Sequence, residues 1–117
     1  MPQYVFLLQG DSQKSWSAGL SPEEIQNVIT MYKHWTQKMR ENGHILAGHK
    51  LKDFEGRVVT GTNPKSVVMD GPYVESKEVV GGLYVIQAKD YDEAVEIAKT
   101  CPHLKFGTIE IRQIDLV

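Results

Sequence analysis

Residues 21–43, SPEEIQNVITMYKHWTQKMRENG, spell one long amphipathic helix, and the segments on either side decide what it packs against. Ser21 is an N-cap residue, Pro22 takes the first helical position, and Glu24 stands three residues after the serine, the spacing of a capping box. Ile25, Val28, Tyr32, Trp35 and Met39 recur at three- or four-residue intervals on one face, and Gly43 supplies the stop. At about 100° per residue, His34 falls well off that stripe, toward solvent.

Upstream, Tyr4 to Gln9 is rich in β-formers and ends at Gly10-Asp11, so a first strand enters a polar connection over residues 10–20. Trp16 either pins that connection on the core or touches a ligand as part of a lid. Downstream, His44 to Gly48 reads as a short strand, Arg57–Gly61 and Lys65–Met69 as a hairpin around Thr62-Asn63-Pro64, and Gly82 to Ala88 as a further strand. Asp90 opens a second helix that turns Ala94, Ile97, Ala98 and Cys101 inward, and Thr108 to Ile114 is the last strand. The order is β-α-β, a hairpin insertion, then β-α-β. Two amphipathic helices cover one face of a small antiparallel sheet, which predicts an α+β, ferredoxin-like fold with residues 1–117 as one domain. An apolar open face needs a cover, most economically a second copy related by a two-fold axis, so a homodimer is expected.

Composition narrows the function by exclusion. The chain has 13 basic and 15 acidic side chains dispersed along it and a formal net charge of −2, so it lacks the basic stripe of a nucleic-acid binder. Its apolar start has no basic leader residues and is far shorter than the roughly 20 residues of a membrane span. A lone Cys101 excludes an internal disulfide, suits the reducing cytosol, and on an apolar helix face reads as core rather than nucleophile. The four histidines show no metal-ligand spacing, and no glycine loop is placed to cradle phosphate, so neither metal nor cofactor is expected.

The densest chemistry lies in residues 69–82, MDGPYVESKEVVGG, where an acid, a Gly-Pro turn, further charges and a Gly-Gly pair share one connection. Asp70 is either a general acid or base, if its pocket desolvates it, or a turn former bonded to nearby backbone. Tyr73, Lys77, Gly81 and Gly82, with Trp16, are candidate ligand contacts, although charged loop residues are commonly just solvated. His49 at a strand end and His103 at a helix end stand where loops converge on clefts, and either is a candidate proton-transfer partner for Asp70. His103 is also where a helix dipole favours a histidine, and His44 reads as packing or surface. Tyr73 and Tyr84 are further polar partners, with packing as the alternative.

These residues resemble the YCII-related family, in its DGPF-domain branch. Asp70-Gly71-Pro72-Tyr73 stands where Asp-Gly-Pro-Phe is expected, followed by Glu75-x-Lys77-Glu78 and by Gly81-Gly82 before a strand. Leu7-x-x-Gly10-Asp11, Trp16, Leu20 to Glu24, Ala47-Gly48, Cys101-Pro102-His103 and Gly107 to Arg112 extend the resemblance over nearly the whole chain. It implies a ferredoxin-like fold that dimerises as an α+β barrel. It also implies an aspartate paired with a histidine from the first helix. That histidine is expected near Met31, where this sequence has none, and His34 lies a turn later on another face. Some relatives occur beside extracytoplasmic-function sigma factors, and a more distant one is a dehydrochlorinase of a chlorinated hydroxyquinol. Two function classes follow. One is a small-molecule enzyme using Asp70 in acid/base chemistry on a polar or aromatic ligand. The other is a non-catalytic ligand-binding or regulatory module tied to transcriptional control.

Overall fold

The computed structural model describes residues 1–72 and 77–116. The readings placed on Tyr73 and Glu75 lie outside the described residues. Strand β1 (Gln3–Asp11) leads to helix α1 (Pro22–Glu41), β2 (Ile45–Lys50), a hairpin of β3 (Arg57–Thr60) and β4 (Val67–Asp70), β5 (Glu78–Gln87), helix α2 (Tyr91–Lys99), a 3-10 turn (Pro102–Lys105) and β6 (Thr108–Gln113). Four strands form one antiparallel sheet in the order β2-β5-β1-β6, the ferredoxin-like arrangement, while among the described residues β3 and β4 pair only with each other. The sheet is open and does not close into a barrel within the chain. No helix among the described residues is long and apolar enough to cross a membrane.

Helix α1 begins as its sequence dictates. The Ser21 hydroxyl accepts from the Glu24 N–H at 3.1 Å, and the Glu24 carboxylate accepts from the Ser21 N–H at 3.1 Å, so two otherwise orphaned donors are satisfied reciprocally. Its Val28, Trp35 and Met39 are buried, as are Ala94, Ile97 and Ala98 of α2. Both helices lie against Tyr4, Phe6 and Leu8 of β1 and Ile86 of β5, and Tyr4, Phe6 and Ile86 are sealed from solvent. The Trp35 indole N–H donates to the Thr100 hydroxyl at 2.8 Å, so the polar atom of this buried ring is not stranded.

No helix among the described residues covers the opposite face. Register places Val5 beside Val85, Leu7 beside Leu83 and Gln9 beside Val80, all half-buried and facing away from α1 and α2. The molecule is consequently a flat two-layer slab, 47 × 45 × 18 Å.

The strands fall within a few residues of their expected bounds, and β5 departs from them most. Gly81 and Gly82 lie inside β5, which starts at Glu78 rather than at Gly82. The cause is a bulge: Leu8 pairs with Gly82 and Gln9 with Val80, leaving Gly81 as the extra residue. The Gly81 carbonyl then accepts from the Leu51 N–H at 2.9 Å, and Lys77 accepts from the Ser12 N–H at 2.9 Å, carrying the ladder past the glycines. Asp70 closes β4, so it belongs to the hairpin and not to a loop.

Candidate functional site

Helix α1 and the sheet part company at one end because the sheet runs out of side chains. Past Leu8, the positions that face α1 are Gly10 on β1, Gly82 opposite Leu8, and Gly48 opposite Tyr84. A methyl group built on Gly10 or on the bulged Gly81 would meet nothing within 4 Å, whereas one on Gly48 would strike the Tyr84 ring at 2.6 Å. The glycines thus leave a space and let Tyr84 lie flat across β2. The resulting cavity has a volume of about 920 Å³, within the size range of small-molecule sites. Its lining comes from the second stripe of α1, residues 14–16 after β1, the stretch from Gly48 to Val58, the 3-10 turn, and Val79 to Tyr84 of β5, so that it reaches round the sheet end to Val80 and Leu83 of the other face.

Polar groups enter this apolar space in two linked pairs. Tyr84 and Thr36 share a hydroxyl–hydroxyl hydrogen bond at 3.1 Å, and the Tyr84 ring packs edge-on against Trp35 at 5.3 Å. Tyr32, one turn before Thr36, places its hydroxyl 3.2 Å from Nδ1 of His103, whose Nε2 lies 2.8 Å from the Gln9 carbonyl oxygen. The carbonyl can only accept, so Nε2 carries the proton; in the neutral ring Nδ1 is then the acceptor and the Tyr32 hydroxyl donates to it. Burial raises the phenols of both Tyr32 and Tyr84 above the ordinary tyrosine range, so both remain neutral hydroxyls. Gly107 makes the Gln9 contact possible. A Cβ there would overlap the Gln9 carbonyl and come within 2.9 Å of His103 Nε2.

The residues singled out from sequence divide between this cavity and the surface. Trp16 lines the cavity, resting edge-on against Phe106 at 5.7 Å, and Gly81, Gly82, His49 and His103 also line it. His49 pairs with Leu83, so its register position is on the face away from the helices. His103 sits on the 3-10 turn after α2, and its two ring contacts rather than a helix dipole account for its placement. Lys77 is exposed and stands outside the lining. Asp70 is also outside it: its side chain is 93% exposed and its nearest ionic partner among the described residues is Arg57, at 3.4 Å on the facing strand. The next two residues, Gly71 and Pro72, do reach the cavity wall. His34 is exposed, and His44 bonds to the Gln87 carbonyl at 3.1 Å.

Two residues of the polar cluster were not singled out in the sequence. Tyr32 reads there as a member of the apolar stripe, yet it stands next to Met31, where a helix histidine was expected, and its hydroxyl takes a place in the cavity. Thr36, one turn on, was the available signal, since polar tips at i and i+4 beside an apolar stripe mark a second face.

Cys101 is buried, and burial pushes its thiol up to about 11. Its ordinary value is 9.0, so the unfolded chain releases the proton first and stability declines as pH rises through the interval from 9.0 to about 11. Tyr32, shifted in the same direction, adds to that slope. The melting temperature of the wild type is expected to fall across this alkaline interval, and a Cys101→Ala, Tyr32→Phe variant to fall less steeply. Equal slopes in the two proteins would contradict this assignment.

A family model for the YCII-related domain matches residues 3–116. An uncharacterized protein of Rhizobium meliloti (strain 1021) is 35% identical over 54 residues, a match that covers 44% of this chain and 44% of that protein. Among solved structures, 5-chloro-2-hydroxyhydroquinone dehydrochlorinase from Burkholderia phenoliruptrix, in complex with 2,5-dihydroxybenzoquinone, superposes with a TM-score of 0.49 at 16% identity, covering 97% of this chain and 93% of that one.

Proposed function

The chain belongs to the YCII-related family, and from that premise we propose that it binds a small organic substrate in the cavity beside α1 and moves a proton there through Tyr32 and His103. The observation that supports this most is the fixed tautomer of His103. With Nε2–H held by the Gln9 carbonyl, Nδ1 is a base whose only ring contact among the described residues is the Tyr32 hydroxyl. A substrate hydroxyl or acidic C–H seated against Tyr32 gives its proton to the phenolic oxygen as the Tyr32 proton passes to Nδ1. The electron pair stays on the substrate as an alkoxide or enolate, and the imidazolium keeps both hydrogen bonds. Return of the proton to another substrate atom completes an isomerisation; loss of a leaving group with the C–H electron pair forming the new double bond, and release of the relay proton to the leaving group or to water, completes an elimination. Asp70, solvent-exposed and paired with Arg57, is assigned no part in this relay.

The test is solvent exchange. In D₂O the protein is expected to accelerate entry of deuterium into the enolisable position of an aryl keto acid such as phenylpyruvate, and to be stabilised thermally by it. Stabilisation without accelerated exchange would favour the ligand-binding module instead. Neither effect, with phenylpyruvate or a panel of phenols, would refute the site.

We propose also that a second copy covers the open sheet face. Val5, Leu7, Val80, Leu83 and Val85 give it an apolar centre, and Glu110 and Arg112 of β6, beside Leu7 and Val5, supply opposite charges that a two-fold axis can match. Size-exclusion chromatography with light scattering at micromolar concentration is expected to give a dimer for the wild type and a monomer for Leu7→Glu. A wild-type monomer would rule the covering out.

A further inference from the structure

We infer that the ligand of this cavity is an organic anion with a planar apolar body, an aromatic carboxylate by class; the inference rests on reading the cavity as a small-molecule site. Charge supplies the first reason. Although the chain as a whole is net negative, the described lining holds seven Lys and Arg side chains against three acids. Two of the seven are matched locally, Lys50 with Asp53 at 2.8 Å and Arg57 with Asp70. Of the acids, Asp11 is committed to its own turn, its carboxylate accepting from the Gln13 and Lys14 N–H groups at 2.6 and 3.2 Å. Lys14, Lys33, Arg40 and Lys52 have no carboxylate in ion-pair range among the described residues. They face the space from the connection after β1, from α1 and from the loop after β2, so the excess comes from three separate elements. A cleft lined by one sign of charge with apolar walls concentrates the potential between them.

The walls give the body of the ligand. Trp16 and Phe106 meet edge-on, Tyr32 and Tyr84 project from helix and sheet, and Phe54 stands in the residue 51–56 loop. Phe54 is 57% exposed and adopts φ +59°, a conformation that costs a non-glycine residue about 1 kcal/mol. An aromatic side chain held so, at the mouth of a cavity and largely in water, has a place to stack on a flat ligand. The aromatic walls, not the cations, favour an aromatic carboxylate over inorganic phosphate. The lining takes α1 from Ile29 to Arg40 and omits its N-terminal turn, so the anion meets side-chain cations rather than a row of helix N–H groups.

The experiment is calorimetric titration of the full chain with para-hydroxybenzoate, its neutral isostere para-hydroxybenzamide, and inorganic phosphate. At low salt the carboxylate is expected to bind about tenfold more tightly than the amide, with the advantage shrinking severalfold at about 0.3 M salt. Lys33→Gln combined with Arg40→Gln, checked for an unchanged melting temperature, is expected to remove most of that advantage and leave amide affinity as it was. Equal affinity for carboxylate and amide would overturn the anion and leave the cavity reading intact. Phosphate binding as tightly as the carboxylate would overturn the aromatic class. Absence of binding by both organic probes would overturn this inference and the cavity reading together.

Discussion

Replacing His103 with glutamine is expected to slow proton exchange in the bound substrate by about 10²- to 10⁴-fold, the usual contribution of a positioned general base, with little change in ligand affinity. The expectation comes from geometry. His103 lines the cavity, but Nε2 is held by the Gln9 carbonyl and Nδ1 lies 3.2 Å from the Tyr32 hydroxyl, so the ring contributes to proton movement rather than to grip. Tyr32→Phe cuts the same relay at its other end. Because the two act as a unit, the double variant should be little slower than either single one. Weakened ligand binding at an unchanged exchange rate would instead assign both residues to ligand positioning. Additive losses would mean that they act separately.

The largest effect on the fold is expected from Gly107→Ala. A Cβ at residue 107 would overlap the Gln9 carbonyl, an atom of the central strand β1 that cannot move without its neighbours β5 and β6. Relief requires displacing the start of β6 from β1, a cost of about 3 kcal/mol and a melting temperature lower by about 10 °C. The change also takes away the acceptor that fixes His103, so the variant that remains folded should lose proton exchange as His103→Gln does. Thermal unfolding followed by circular dichroism checks the first part, and exchange measured well below the melting point checks the second. A stable Gly107→Ala protein with full exchange would mean that the Gln9 carbonyl does not fix the histidine.

The path of the chain was legible because each element carries its own local cause. The capping box at Ser21 and the inward spacing of Ala94, Ile97 and Ala98 need no tertiary information, and both helices stand where those residues put them. Gly81 and Gly82 show the limit. As a pair they read as a break before a strand, yet pairing with β1 and the bulge draw them into β5, and that long-range register has no local signature. The site was less legible for the same reason. Asp70 drew attention through the density of polar residues that follow it, but Asp70 itself closes an exposed hairpin that, among the described residues, pairs with neither edge of the main sheet. Tyr32 and His103 are 71 positions apart and meet only because α1 and the 3-10 turn flank the same end of β1. The floor of the cavity depends on Gly10, which leaves open space, and on Gly48, which makes room for the Tyr84 ring, and the two share a face only once three strands are in register.

The protonation of the His103 ring decides whether the relay exists. A long-range proton–nitrogen correlation spectrum of the imidazole near neutral pH reads it directly, with Tyr32→Phe as the companion sample. The relay predicts a proton on Nε2, an unprotonated Nδ1, and an Nδ1 shift that changes when the tyrosine hydroxyl is removed. A proton on Nδ1 with a bare Nε2, or an Nδ1 signal indifferent to Tyr32, would contradict the account.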